Sequence, residues 1–495
     1  MKLFELLQNA DYECMQGSLE LAVTGIFYHC DKVIEGCVFV CIEGAEDDGH
    51  DYAEEAVKRG ARAVVCQKAL SLSDDITIVR TTDSRQLMAE MAGAFYGYPA
   101  RKLCLIGVTG TKGKTTTTFM IQAILKRAGQ KCGLIGTVHT DTGEEIIEST
   151  HTTPESVELQ AYLRKMADCG CTACVMEVSS QALKLKRVHG LYFDYAVFTN
   201  LSEDHIGRGE HRDFAEYAAC KAQLFQTCKE AVINADNPYA QRMVEDSACK
   251  IVTYGMEKHC GFKAKNLDYV KIPGKLGVEF EITGDYNIDL VVGLPGKFSC
   301  YNAMAAAAVC SRMKIGKESI RTALREILVP GRQEMFAAGP GKVIMVDYAH
   351  NGVALENLLK SLRDYHPKRL TVVFGCGGQR DKNRRTDMAK AAAALADFSV
   401  VTSDNPRKEE PEVIISDITR VLAEQRSCFT VIADRRAAIR YAAEHLQDGE
   451  IAIIAGKGHE NYQIIGEDKI HFDDREEVLA SIEKVKHEHD NFRRN

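Results

Sequence analysis

The chain has 495 residues, 45% of them apolar, and a formal net charge of −8. That is material for about three domains at roughly 150 residues each, and the acidic balance excludes a general nucleic-acid binder, which needs a basic face. No apolar run approaches the ~20 residues of a membrane helix, and "MKLFELLQNADYECMQG" has no signal-peptide core, so a cytoplasmic protein without membrane insertion is expected.

Residues 1–99 hold short strands such as "GCVFVCI" (Gly36 to Ile42) and a helix around "YAEEAVKRG". They close at "YGYPA", where Pro99 marks a break. A second segment, 100–330, opens with the strand "KLCLIGVT" and alternates strands ("ACVMEV", "YAVFTN", "EAVINA") with helices up to the turn "VPGR". A third, 331–495, repeats the alternation with "KVIMVDYA", "RLTVVFG", "FSVVTS" and "IAIIAG". Apolar strands alternating with helices predict an α/β fold with parallel, doubly wound sheets.

Directly after "CLIGV" comes "TGTKGKTTTTFM", which contains Gly110, Thr111, Lys112, Gly113, Lys114, Thr115 and Thr116. Gly-x-x-Gly-Lys-Thr between a strand and a helix reads as a phosphate loop. Its glycines let backbone N–H groups curl round phosphates, the helix N-terminus adds favourable dipole, the lysine adds charge, and the threonine can hold Mg²⁺. Val108 stands where the full pattern has glycine, so only the second half is matched. The bland alternative is a glycine turn before an ordinary helix; the order strand, turn, Gly-Lys-Thr, helix speaks against it. A phosphate loop alone names no reaction, because kinases, hydrolases, switches and ligases share it.

The run "CGCTAC" places Cys169, Cys171 and Cys174 close together, but no second ligand pair follows, so packing is favoured over zinc. The strand "ACVMEV" ends in Glu177, followed by Ser179 and Ser180, and the next strand leads to Asp204 and His205. Carboxylates at the carboxyl ends of parallel strands face the same crevice as the loop and suit Mg²⁺, although a surface acid would look the same. In the helix "RDFAEYAACKAQLF", Lys221 lies within the stripe of Phe214, Tyr217, Leu224 and Phe225. Helix geometry alone favours a lysine snorkelling at the stripe's edge. An inward lysine would be desolvated, favouring the neutral amine, which can take up CO₂ as a carbamate.

The stretch "DNPRKEEP" follows the strand "FSVVTS", so Asp404, Asn405, Pro406 and Arg407 are expected in the crevice beyond a strand's carboxyl end. Arg380 in "GCGGQRDK", and Gly456 and Glu460 in "AGKGHE", end neighbouring strands. Two arginines and two acids suit an amino acid with two carboxylates and two amines, such as meso-diaminopimelate. The bland alternative is a solvated surface turn.

The set "TGTKGKTT", "HTTPE", "MEVSS", "NLSEDH", "CYNAMAA", "VPGRQE", "VDYAH", "DNPRKEEP" and "AGKGHENYQ" resembles, in order and over nearly the whole chain, the Mur ligases of peptidoglycan synthesis. The resemblance implies three domains: a UDP-substrate domain (1–99), a central P-loop ATPase (100–330) and a Rossmann-like amino-acid domain (331–495). It implies an ATP- and Mg²⁺-dependent ligase, expected as a monomer, that phosphorylates the D-glutamate carboxylate of UDP-MurNAc-L-Ala-D-Glu and couples the acyl phosphate to a diamino acid. By this likeness Gly110 to Thr116, Asn302, Arg332 and Asp347 bind ATP. Lys114 is catalytic. Thr115, Glu177, His205 and Lys221, the last as N6-carboxylysine, serve the metal. Thr152, Thr153, Ser179 and Arg187 grip the UDP-MurNAc-dipeptide. "DNPR" with Arg380, Gly456 and Glu460 resembles the signature of diaminopimelate-adding members. Where the family writes "YDSR" for the uridine pocket, this chain writes "YHCD", with Cys30 at the serine position. Rival readings are a lysine-adding ligase, a folylpolyglutamate-synthase-like ligase, and a non-catalytic nucleotide-binding relative.

Overall fold

A computed structural model describes all residues except Asn9, Ala45, Glu46, Asp204, His205, Arg208, Gly209 and Asn495, together with the side chains of 488–494. Asp204 and His205, expected on the phosphate-loop rim, therefore lie outside the described residues. The chain forms two compact units, Met1–Phe262 with Ala305–Ser319, and Lys263–Met304 with Ile320–Asn495. Among the described residues no helix is long and apolar enough to cross a membrane.

The first unit contains two sheets. One runs Glu13–Gln16, Thr77–Arg80, Ala63–Cys66, Val38–Val40, Ile26–Phe27, with only the first pair antiparallel. Val38–Val40 and Ala63–Cys66 are buried throughout, as a parallel strand covered on both faces should be. In the other sheet the parallel strands run Cys132–Ile135, Ala173–Glu177, Cys104–Thr109, Phe193–Phe198, Cys228–Asn234, Lys250–Gly255. Cys104–Thr109 is central, with Ala173–Glu177 on one side and Phe193–Phe198 on the other. Chain order reverses across it, which opens a crevice beyond the carboxyl ends of these three strands.

The second unit contains the antiparallel pair Lys275–Gly284 and Ile288–Val292 and a six-stranded sheet. Its order is Glu334–Gly339, Lys342–Asp347, Ile451–Ala455, Leu370–Phe374, Phe398–Val401, Phe429–Val431, parallel after the first pair. Alternate side chains face opposite layers. Val343, Met345 and Ile453 pack with Leu355, Leu359, Met388 and Ile418 of three helices, whereas Ile344, Val346 and Ile454 pack with Ile439, Ala442 and Val478 of two others. The sheet is doubly wound, as the alternation of strands and helices predicts.

Candidate functional site

The phosphate-loop sequence lies where its pattern placed it. The strand Cys104–Thr109 ends, the loop turns, and the helix Lys114–Arg127 begins. Gly110 has φ +148 and Gly113 has φ +87, conformations that side chains disfavour. Val108 is instead a fully buried strand residue, so the turn starts two residues later than in the full pattern. The loop is braced from the neighbouring strand end. Asn200 Oδ1 accepts from Lys112 N (3.0 Å), Asn200 O accepts from Thr111 N (2.8 Å), and Thr199 Oγ1 donates to Lys112 O (2.7 Å).

Lys114 Nζ donates to Gly110 O at 2.9 Å and to Thr111 O at 3.2 Å. Lys221 Nζ donates to the same Gly110 O at 3.0 Å, over the Tyr217 ring at 4.5 Å. Lys221 is 1% exposed, so it does not snorkel, contrary to what helix geometry alone favours. Its tip is drawn inward by the Gly110 carbonyl and the tyrosine face, partners that only the fold supplies. The Lys114 ammonium at the loop carbonyls fits an anionic phosphate ligand, and Lys221 brings a buried amine to the same carbonyl.

Glu177 is 1% exposed at the adjacent strand end. Thr115 Oγ1 donates to its Oε2 at 3.0 Å. Thr137, which the motif reading passed over, donates through N to Oε1 at 2.8 Å and through Oγ1 to Oε2 at 3.2 Å. A carboxylate and a hydroxyl this close form a hard oxygen donor set of the kind Mg²⁺ takes. Thr152 and Thr153 join the same group: Thr152 Oγ1 lies 3.1 Å from Thr137 Oγ1, and Thr153 Oγ1 donates to Glu177 O at 2.8 Å. Ser179 Oγ caps the next helix through Ala182 N at 3.1 Å. Arg187 is tied to Glu155 (2.8 Å) and to Thr153 O (2.9 Å), and Arg85 pairs with the same glutamate at 3.3 Å.

The "YHCD" segment lines a cavity of about 610 Å³ together with Phe39, Tyr52, Arg85, His151 and Glu155. Cys30 is on its wall, with Sγ 3.9 Å from Asp31 Oδ1. Tyr28 donates to Glu158 at 2.9 Å, and burial pushes its phenol pKa well up. Burial lowers the His151 imidazole pKa. Elsewhere, Cys169 and Cys171 bring their sulfurs to 3.6 Å, and Cys174 is buried in a strand. Among the described residues, the one cluster of three metal-ligating side chains is Glu43, Asp48 and His50. Lys68 bridges Glu43 (2.8 Å) and Asp48 (2.5 Å), so a cation already occupies it.

In the second unit, Arg380, Asp404, Asn405, Arg407, Gly456 and Glu460 line one cavity of about 270 Å³, with Tyr348, His350, Cys376 and Arg384. Asn405 Nδ2 donates to Glu460 Oε2 (3.0 Å), and buried Lys457 donates to Asn405 Oδ1 (3.2 Å) and lies 3.4 Å from Glu460. Burial raises the Glu460 carboxyl pKa. Arg407 has a left-handed backbone, φ +54, pinned by Ile464 O at 3.1 Å and Gly466 N at 2.7 Å on a hairpin, Tyr462–Ile465 with Asp468–His471. Its NH1 donates to Gly378 O at 2.9 Å, and among the described residues no carboxylate pairs with it. Asn302, Arg332 and Asp347 also belong to this unit. Asn302 is buried on the helix Lys297–Arg312, Arg332 stacks at 4.5 Å over Tyr348, and Asp347 accepts from Gln333 N and Ala349 N at 2.8 Å each.

Three sequence-family descriptions match the chain in order: "Mur ligase family, catalytic domain" at residues 22–96, "Mur ligase middle domain" at 108–310 and "Mur ligase, glutamate ligase domain" at 331–458. The chain is 40% identical over 492 residues to the UDP-N-acetylmuramoyl-L-alanyl-D-glutamate–2,6-diaminopimelate ligase of Clostridium botulinum, covering 98% of this chain and 100% of that one. Identity to the protein of the same description from Caldanaerobacter subterraneus is 42% over 490 residues, with the same coverage. A solved structure of a ligase so described is similar at TM-score 0.71 and 31% identity, over 98% of this chain and 99% of that one. The Thermotoga maritima MurF ligase in complex with ADP shares the fold at TM-score 0.60 and 20% identity, covering 94% and 99%.

Proposed function

The chain belongs to the Mur ligase family, and we propose that it joins meso-2,6-diaminopimelate to the D-glutamate of UDP-N-acetylmuramoyl-L-alanyl-D-glutamate. The enzyme is an ATP-dependent ligase that uses Mg²⁺. ATP supplies the phosphoryl group that turns the substrate carboxylate into an acyl phosphate; an amine of the diamino acid then displaces phosphate, forming the amide. Mg²⁺, when bound, neutralises phosphate charge.

The chain's own residues divide this work. Lys114 and the loop N–H groups hold phosphate oxygens. Glu177 and Thr115 supply metal ligands, with Lys221 in its carbamate form and His205. Thr152, Thr153, Ser179 and Arg187 grip the dipeptide end of the UDP substrate, and the cavity around Cys30 takes the uridine end. Asn302, Arg332 and Asp347 contact the nucleotide. Residues 1–99 hold the uridine end, 100–330 the phosphate loop together with the grip on the dipeptide, and 331–495 the amino acid together with Arg332 and Asp347 toward the nucleotide, in an enzyme working as a monomer in the cytoplasm.

The observation that carries the choice of amino acid is the small cavity of the second unit. Arg380 and Arg407 suit a carboxylate, while Asp404, Asn405 and Glu460 suit an ammonium group. L-Lysine lacks the distal carboxylate and would leave an arginine unpaired, a penalty of about 2–5 kcal/mol, or roughly 30- to several-thousand-fold. The test is phosphate release with ATP, UDP-MurNAc-L-Ala-D-Glu and either meso-diaminopimelate or L-lysine. A strong preference in kcat/KM for diaminopimelate is expected; equal use of lysine refutes the assignment.

A further inference from the structure

Behind the diamino acid cavity lies an arginine that the reaction scheme does not use. Arg435 is the first residue of the helix Arg435–His445, and its side chain is 0% exposed. Its Nε and NH2 donate to Asp474 Oδ1 and Oδ2, both at 2.7 Å, which fixes the guanidinium plane. The remaining donors reach two strand ends. NH2 donates to Ala455 O at 3.1 Å, and NH1 approaches Ser403 O at 3.5 Å. Ala455 immediately precedes Gly456, and Ser403 immediately precedes Asp404; both successors line the cavity. NH1 also lies 3.9 Å from Asp404 Oδ2.

Stability alone accounts poorly for this arrangement. A cation at a helix N-terminus opposes the dipole, and a fully buried ion pair gains little net stability over apolar packing. Neutralising Asp474 needs only two of the guanidinium's donors, whereas this fork spends the others on the two loops that carry pocket residues. A lysine cannot do the same, because its ammonium is a point charge without a planar fork.

We infer that Arg435 is a positioning residue for the diamino acid site, tying the Ser403–Asp404 and Ala455–Gly456 strand ends together so that Asp404 and Gly456 keep the spacing the substrate requires. This rests on the proposed function. If the parent enzyme does not turn over diaminopimelate, that reading fails first; if it does, the variants below test Arg435 alone.

Two variants separate positioning from stability. Arg435→Lys keeps the charge and loses the fork. The double change Arg435→Met with Asp474→Leu removes both buried charges at once and leaves neither unpaired. In steady-state phosphate release, both are expected to raise the KM for meso-diaminopimelate by roughly tenfold or more, with the KM for ATP and for the UDP substrate within about twofold of the parent. Both should also narrow the preference over L-lysine. An unchanged diaminopimelate KM in the folded variants overturns the inference, and so does a parallel rise for all three substrates. If the double variant fails to fold, Arg435→Lys decides by the same split. Failure of both to fold also overturns it, because the residue would then serve the fold and not the site.

Discussion

Gly110→Ala is the most direct perturbation of the phosphate loop, and its cost can be worked from the geometry. A methyl at Gly110 would sit 1.9 Å from Thr199 Oγ1, 3.0 Å from Asn200 O and 3.1 Å from Asn200 N. The backbone there, at φ +148, is also one that alanine disfavours. Relief by rotating Thr199 breaks its 2.7 Å bond to Lys112 O, and the two backbone contacts remain. Relief by moving the loop displaces the carbonyl on which Lys114 and Lys221 converge. Strain of about 1–3 kcal/mol and one lost hydrogen bond of about 1 kcal/mol sum to about 2–4 kcal/mol. A loop that shifts to escape this cost must regain it to close on the phosphates, which at 1.36 kcal/mol per decade is roughly a 30- to 900-fold loss in kcat/KM for ATP. The assay is phosphate release with ATP varied at saturating co-substrates, beside a thermal melt. Gly129→Ala is the control. It also has positive φ (+78) but meets nothing within 4 Å, so it should lower the melting temperature without touching ATP kinetics. A Gly110→Ala enzyme whose kcat/KM for ATP stays within about threefold of the parent would refute the assignment of this loop to the phosphates.

Lys221→Arg keeps a cation but cannot take up CO₂, so turnover should be lost, and Lys221→Ala should regain part of it when a short carboxylate is added; full activity in Lys221→Arg ends the carbamate reading. Arg407→Ala should remove most of the preference for diaminopimelate over lysine in kcat/KM, and an unaltered preference would mean that the distal carboxylate is read elsewhere. Cys30→Ser replaces a weak hydrogen-bonding thiol with a hydroxyl and should lower the KM for the UDP substrate by at most roughly tenfold, whereas a large loss of binding would show a differently built uridine pocket. Glu460 is raised above its ordinary 4.5 by burial first, with Asp404 adding to the rise and Lys457 and Asn405 opposing it. On the proposed role, in which the ionised carboxylate binds the substrate ammonium, the acid limb of kcat/KM for diaminopimelate should lie above 4.5 and move higher still in Lys457→Met. A limb at or below 4.5, or one that Lys457→Met leaves in place, would show that Glu460 does not meet the ammonium.

The strands that carry the site are the ones apolar patterning marks most clearly. Cys104–Thr109, Ala173–Glu177 and Ile451–Ala455 are almost wholly buried, so they read as continuous apolar runs, and the candidate site residues follow from where those runs stop. The hairpin that pins Arg407 was not legible for the opposite reason. Asp468–His471 is exposed at every position, and charge without a buried face leaves no period-two signal. Nor does the proline of "DNPR" foretell the left-handed backbone of Arg407, which comes from pairing with that hairpin. Lys221 shows a different limit: helix phase says which stripe a side chain joins but not whether a carbonyl waits at its tip. Thr137 had no motif of its own, and its two bonds to Glu177 depend on a loop packing against a strand end. Arg435 and Arg436 sit side by side in "ADRRAAIRY", chemically identical, yet one side chain is 0% exposed and the other 59%. Helix spacing separates them, because Arg435 precedes the buried Ala438, Ile439 and Ala442 by three, four and seven residues. A charged residue in phase with the apolar stripe of a helix beside an active-site loop is therefore a signal that sequence does contain. It went unread because arginine at a helix start looks like a solvated end, and only the carbonyls of Ser403 and Ala455 and the carboxylate of Asp474 show what that charge is for.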